Sequence, residues 1–176
     1  MAETKINLSL DATRGYGLVS SQTVSAVTDV SFTGLTEGLW YSLRFGYTQG
    51  VSSGQTQLRF NNSSSNVYRW AAQGRADNNS TTSNYASDNS FIGITAATNL
   101  NGWYCTANID FIALATGECT VLWSVTYVDT SLGNVQTYLT GGGLYNDSGG
   151  GAVSSVQVIV TNGTMSGTFN LLKLIQ

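Results

Sequence analysis

Ten acidic side chains and no histidine set the limits of what this chain can do chemically. Histidine is the commonest general base near neutral pH and the commonest metal ligand, so both roles would fall to other groups. Asp11, Glu37, Asp110 and Glu118 are the carboxylates from which a glycoside-cleaving pair would be drawn. Such a pair needs two acids held about 5–10 Å apart. These four are scattered along the chain, and Asp110 falls on the polar parity of its run, so no pair is expected. The chain reads as non-enzymatic.

Metal and phosphate sites are equally thin. Asp77-Asn78-Asn79 and Ser87-Asp88-Asn89 offer oxygens of the kind calcium takes. A calcium loop needs several carboxylates at fixed spacing and a bidentate acid. Neither stretch has them, and both read as solvated turns. Gly141 to Gly143 is followed by no Lys-Ser/Thr pair, so it is no phosphate cradle. No metal or cofactor is expected. The Asn-x-Ser/Thr triplets at Asn62, Asn79 and Asn162 are what so Asn- and Ser-rich a chain contains by chance.

Cys105 and Cys119 look like a disulfide pair until strand register is considered. If Thr116-Gly117 centres a hairpin turn, the residue opposite Cys105 is Tyr127 or Val128. Cys119 then lies about 30 Å from Cys105 at ~3.3 Å per residue. Cα atoms more than about 7 Å apart cannot be bridged. Both are expected to be buried, reduced thiols.

The remaining candidates are aromatic. Tyr85 and Tyr145 sit in polar stretches, where an exposed ring can stack on a sugar or a partner. Tyr85, Tyr145 and its neighbour Asn146 are therefore the candidate glycan or partner contacts. Trp70, Trp103 and Trp123 follow strand periodicity and are expected in the core or between subunits.

These side chains must be positioned by strands. Alternation with period two runs through the sequence. Ile6, Leu8 and Leu10 share a parity, as do Val24, Ala26, Val30 and Phe32. Leu39, Tyr41, Leu43, Phe45 and Tyr47 form the cleanest face. Leu58 and Phe60 flank Arg59, and Tyr68 and Trp70 flank Arg69. Trp103, Cys105, Ala107, Ile109, Phe111 and Ala113 are answered by Cys119, Val121, Trp123, Val125 and Tyr127. Residues 135–140 follow a Ser131-Leu132-Gly133-Asn134 turn, and Val156, Val158 and Val160 alternate again. The closing residues are apolar on both parities, with Phe169, Leu171 and Ile175 against Leu172 and Leu174.

No window shows a helical period, and no repeat or linker appears. About ten short strands joined by polar turns predict an all-β, single antiparallel β-sandwich, jelly-roll-like, spanning residues 1–176 with a short N-terminal arm at 1–5. Residues 61–66, 75–90 and 141–151 read as loops, the last as the most flexible. Asn162-Gly163 reads as a hairpin turn, because both residues accept positive φ.

Composition adds the kind of partner to expect. Charged residues are 10% of the chain, well under the ~25% of ordinary soluble domains. Aromatic residues at 11% and hydrophobic residues at 41% argue against disorder. A surface of Ser, Thr, Asn, Gln and Gly repels its neighbours weakly, which suits dense assembly. With no proline and few lysines, the edge strands lack the usual guards, so partner chains are expected to cover them. The net charge of −3 and the absence of a basic run give no footprint for nucleic acid. The N-terminal residues have no leader-type apolar segment, and no apolar run nears the ~18 residues of a membrane span, so a cytosolic origin and no membrane partner are expected.

Leu58-Arg59-Phe60-Asn61-Asn62-Ser63-Ser64-Ser65-Asn66-Val67-Tyr68 resembles a motif of tailed-bacteriophage virion structural proteins with a jelly-roll or β-sandwich domain. In that group an LRFN-type strand end leads into an Asn/Ser loop and a tyrosine. Val156-Gln157-Val158-Ile159-Val160 followed by Met165-Ser166-Gly167-Thr168-Phe169-Asn170-Leu171-Leu172 is similar to the family's closing hairpin. Phe32-Thr33-Gly34-Leu35 and Trp40-Tyr41-Ser42-Leu43-Arg44-Phe45 fit its first core strands. The resemblance covers roughly Val24 to Leu174 and departs at Leu172-Lys173-Leu174, where the family has an aromatic and a glycine.

The resemblance implies a structural role in a virion, often as a homotrimer, with no catalytic residue attached. The major capsid protein or other virion proteins are then the expected partners. With no heptad stalk in the sequence, a capsid decoration (cement) protein is expected ahead of a tail or fibre component. A module recognising host glycan is the alternative.

Overall fold

The computed structural model describes residues 15–50, 54–77, 81–95, 104–129, 135–147, 149 and 151–175. The alternation at Ile6, Leu8 and Leu10, the arm at 1–5, Asp11, Asn78, Asn79, Trp103 and the turn at Ser131 to Asn134 lie outside the described residues. The rest is all-β. Its twelve strands are β1 (Tyr16–Val27), β2 (Asp29–Thr33), β3 (Trp40–Gln49), β4 (Thr56–Phe60), β5 (Tyr68–Ala76), β6 (Thr81–Asn89), β7 (Ile92–Gly93), β8 (Tyr104–Ile112), β9 (Glu118–Asp129), β10 (Val135–Asn146), β11 (Ser155–Val160) and β12 (Met165–Leu174).

They form two antiparallel sheets, β1-β12-β3-β8-β9-β10-β5-β6 and β2-β11-β4-β7. The pairings are nested. β5 pairs with β6, β4 with β7, β3 with β8, β2 with β11 and β1 with β12. Successive pairs alternate between the two sheets. A long two-stranded ribbon wound up in this way is a jelly roll. The β9–β10 hairpin widens it, lying between β8 and β5 in the larger sheet.

Period-two sequence becomes a two-faced strand because successive side chains leave a pleated strand on opposite sides. In β8, Cys105, Ala107, Ile109 and Phe111 are buried while Tyr104, Thr106 and Asn108 are exposed. The buried faces of both sheets make one core. Phe60 of the small sheet ties them together, with its ring 5.3 Å from Phe111 and 5.6 Å from Tyr145 of the large one.

Several local readings are corrected. Residues 141–146, expected to be a flexible loop, complete β10. Residues 81–89, expected in a loop, form β6, hydrogen-bonded to β5. The run from Val24 to Phe32 is two strands in different sheets, broken at Thr28. Gly163 does turn with positive φ (81°), yet no closing hairpin forms. β11 belongs to the small sheet and β12 to the large one, so the turn arches between layers.

The cysteines fall as register demanded. Cys105 sits opposite Tyr127, and both thiols are free and buried. The double apolar parity of the last strand has an internal partner in β1, where Leu172 faces Leu18 and Leu174 faces Tyr16. Among the described residues no helix is long and apolar enough to cross a membrane.

Candidate functional site

Five polar side chains and one tyrosine surround a single glycine on the outward face of the large sheet. β3 has β12 on one side and β8 on the other. The registers set Thr168, Gly46 and Thr106 in one row and Asn170, Arg44 and Asn108 in the next. Their chain neighbours Phe45, Tyr47, Cys105, Ala107 and Phe169 point the other way into the core. Glycine leaves a gap in the row. A Cβ at position 46 would meet Thr106 Cγ2 at 3.6 Å and Tyr104 Cε1 at 3.9 Å, both ordinary contacts. The gap opens into a groove of about 370 Å³ lined by Arg44, Tyr104, Thr106, Asn108, Thr168 and Asn170.

Tyr104 is 67% exposed, an unusual state for so large a ring. Arg44 is engaged elsewhere. Its Nε donates to Ser42 Oγ at 3.4 Å, and its guanidinium lies 5.8 Å from the centre of the Tyr16 ring. Burial first, then the Asp110 charge, raises the pKa of the Tyr16 phenol, and Arg44 opposes them. The stem of Arg44 therefore borders the groove while its charge is turned toward Tyr16. The lining holds no carboxylate and no thiol; its polar groups are hydroxyls, side-chain amides and the Arg44 guanidinium.

A second feature crosses the same face. Leu122, Gly142, Ala71 and Tyr85 stand side by side on β9, β10, β5 and β6. Leu122 is 59% and Tyr85 86% exposed. This apolar strip ends at β6, an edge strand bonded only to β5.

The residues singled out in the sequence are not brought together. Tyr85 stands free on the edge strand. Tyr145 does not stand free, because its ring is fully buried and packs 5.0 Å from Tyr68. Burial, followed by the Asp147 charge, raises its pKa, and its hydroxyl meets the Asp147 carboxylate at 3.4 Å. It can stack on no ligand. Asn146 is exposed at the far end of β10 and borders a smaller hollow of about 230 Å³ with Asn66, Val67, Arg69 and Leu144. Trp70 and Trp123 are core residues, packed edge to face at 6.4 Å.

No protein-family model, curated protein or solved structure matches this chain.

Asp110 and Glu118 occupy different strands of the large sheet. Asp110 lies mid-strand opposite Ser42 and Leu122, and Glu118 opposite Asn146. Among the described residues no three His, Cys, Asp or Glu side chains could hold a metal ion. Asp77 serves its turn, its carboxylate accepting from the Gln136 amide at 3.3 Å. Asn89 Oδ1 likewise accepts from the amide of Ser90 at 2.7 Å.

Sequence reasoning passed over Tyr104, Gly46, Asn108 and Asn170. One signal was present: Tyr104 is a large aromatic on the polar parity of a strand whose other parity is apolar. The register that sets it beside Gly46 and Asn170 is long-range and leaves no mark in any local window.

Proposed function

We propose that this protein is a structural component of a bacteriophage particle, a capsid decoration protein that works by passive contact. The observation that carries the reading is the strip from Leu122 to Tyr85, running to a nine-residue edge strand. Long edges are templates for further pairing, and natural monomers guard them with Lys, Pro or bulges. The β6 sequence contains neither lysine nor proline, and its pairing to β5 is interrupted by a bulge only at one end, between Ala86 and Asn89, so that residues 81–86 form an unbroken edge. Exposed Tyr85 on that edge is of the type that subunit contacts bury, and exposed Leu122, three strands in, extends the apolar surface.

Composition and motif support the same reading. A face of Ser, Thr, Asn and Gln carries little charge to hold copies apart, and the chain is 10% charged. The Leu58-Arg59-Phe60-Asn61 resemblance points to virion proteins. Jelly rolls serve both viral capsids and lectins, so the winding alone does not choose. In this reading homotrimers sit over junctions of the major capsid protein, and many symmetric copies add avidity.

The test is the particle itself. Quantitative mass spectrometry of purified virions should find the chain in a fixed ratio to the major capsid protein. Particles stripped of it should break at lower temperature or lower salt than intact ones. Its absence from particles, or stripped particles of unchanged resistance, would overturn the reading.

The groove beside Tyr104 favours a second reading, a tail or fibre module that recognises host-surface glycan. Immunogold labelling at the tail tip instead of the capsid shell would select it.

A further inference from the structure

We propose that the groove over Gly46 is a binding subsite for a neutral pyranose sugar, stacked on Tyr104 and hydrogen-bonded by Asn108, Asn170 and Thr106. The proposal names a ligand class for the second reading above, but it rests on the groove alone and not on any place in a particle.

Three features carry it. The first is the wall. A tyrosine ring 67% exposed on a sheet face presents an apolar surface to water. The C–H face of a pyranose covers such a ring, while the phenol hydroxyl stays wet. The groove volume of about 370 Å³ falls in the range of ~300–1,000 Å³ typical of small-molecule sites.

The second is the polar complement. A side-chain amide offers a donor and an acceptor in one plane, and a hydroxyl offers both roles on one atom. Vicinal sugar hydroxyls need that mixture. Among the described residues, the side chains of Asn108, Asn170 and Thr106 make no hydrogen bond to one another or to the rest of the chain. Thr168 spends its hydroxyl on Thr23, 3.3 Å away. The two amides flank the Arg44 stem from β8 and β12, so both border the same opening.

The third is the charge. No acid lines the groove. The one cation is held over Tyr16 and bonded to Ser42. An anionic ligand would have to draw Arg44 away from both, whereas a neutral one leaves it in place. The gap at Gly46 is what admits any ring. It is not needed by the backbone, because Gly46 has no positive φ and a Cβ there meets only ordinary contacts.

The experiment is saturation-transfer NMR on the whole chain, with glucose, galactose, mannose, N-acetylglucosamine and glucuronic acid as probes. At least one neutral sugar should bind with Kd of about 1 mM or tighter. Tyr104→Ala and Gly46→Val should each weaken that binding about tenfold or more, a loss of ~1.4 kcal/mol. Tyr85→Ala, on the edge strand of the same face and four strands away, should leave it unchanged. Thermal melts of all three variants should match the parent, which separates loss of the subsite from loss of the fold. Three outcomes would overturn the proposal: no transfer to any neutral sugar, binding that survives both groove variants, or glucuronic acid binding more tightly than glucose. None of them bears on whether the chain is found in virions.

Discussion

Gly141 faces Trp123 directly across the β9–β10 pair, and the indole fills the space a side chain at 141 would need. A Cβ there would stand 2.7 Å from Trp123 Cη2 and closer still to Cζ2 and Cε2. Gly143 is less crowded, where a Cβ would meet the Arg69 carbonyl oxygen and Ile92 Cδ1 at 3.1 Å and Trp70 Cβ at 3.2 Å. Gly141 and Gly143 thus face inward, and Gly141 leaves the space in which the Trp123 indole meets Trp70 edge to face.

Gly142 points the other way, where a Cβ would find Leu122 Cδ2 at 3.4 Å. Gly141→Ala should therefore cost about 1–3 kcal/mol through overpacking. Gly142→Ala should stay within about 0.5 kcal/mol of the parent, as surface changes do. Urea unfolding midpoints measure both. Equal midpoints for the two variants would show that the indole does not need the gap.

The end of β4 is pinned by Asn61. Its backbone is left-handed (φ 50°), and its Oδ1 accepts from the amides of Ser154 and Ser155 at 2.8 and 3.3 Å. Its Nδ2 donates to the Ala152 carbonyl at 3.0 Å. Asn61→Ala loses these bonds and also meets the left-handed penalty, about 1–2 kcal/mol for an ordinary residue. Asn61→Gly loses the bonds alone. Both should be less stable than the parent, with alanine the worse by about 1 kcal/mol. Glycine proving equal or worse in chemical denaturation would remove the backbone from the account.

That pin shows which parts of the sequence could be read. Leu58, Phe60 and Tyr68 announce themselves by parity, and all three are fully buried. β3, β8 and β9 were legible for the same reason, and with them the opposition of Cys105 and Tyr127. Residues 141–146 were not, because glycine has no side chain to carry a rhythm. β6 was not, because Thr, Ser and Asn belong equally to loops and to wet strands. Asn162-Gly163 announced a turn but could not say whether the next strand stays in the same sheet. The groove was least legible of all. Its residues lie near 44, 106 and 169, and only the ribbon winding brings them together.

Buried proton-bearing groups predict an alkaline limit. Burial, eased by hydrogen bonds from Tyr47 and Thr56, pushes the Cys105 thiol from 9.0 up to about 12. Burial also raises Cys119, Tyr47 and Tyr68. All four fold in their neutral forms. Their stabilising effect is complete below the unfolded thiol value and is lost as pH climbs toward the folded ones. Stability should hold to about pH 8, then fall by ~1.4 kcal/mol per pH unit for each proton the native state retains. Cys105→Ala should make the fall shallower by one proton between about pH 9 and pH 10, before unfolded tyrosines begin to ionise. Urea midpoints from pH 7 to 11 test this. A flat profile, or rapid reaction of either thiol with a disulfide reagent in the native protein, would contradict it.

The strip from Leu122 to Tyr85 bears on assembly, and its variants separate association from folding. Both side chains are mostly in water, so Leu122→Ser and Tyr85→Ala should leave the melting temperature of the lone chain within about 1 °C. In a contact each would be buried. Covering a leucine is worth about 1.5–3 kcal/mol, so either change should weaken self-association at least tenfold in sedimentation velocity. Tyr104→Ala, four strands from Tyr85 on the same face, serves as the control and should associate like the parent. A parent that stays monomeric at millimolar concentration, with strip variants entering particles at full copy number, would leave the strip without a role in assembly and would move the contact to the small sheet or to β1.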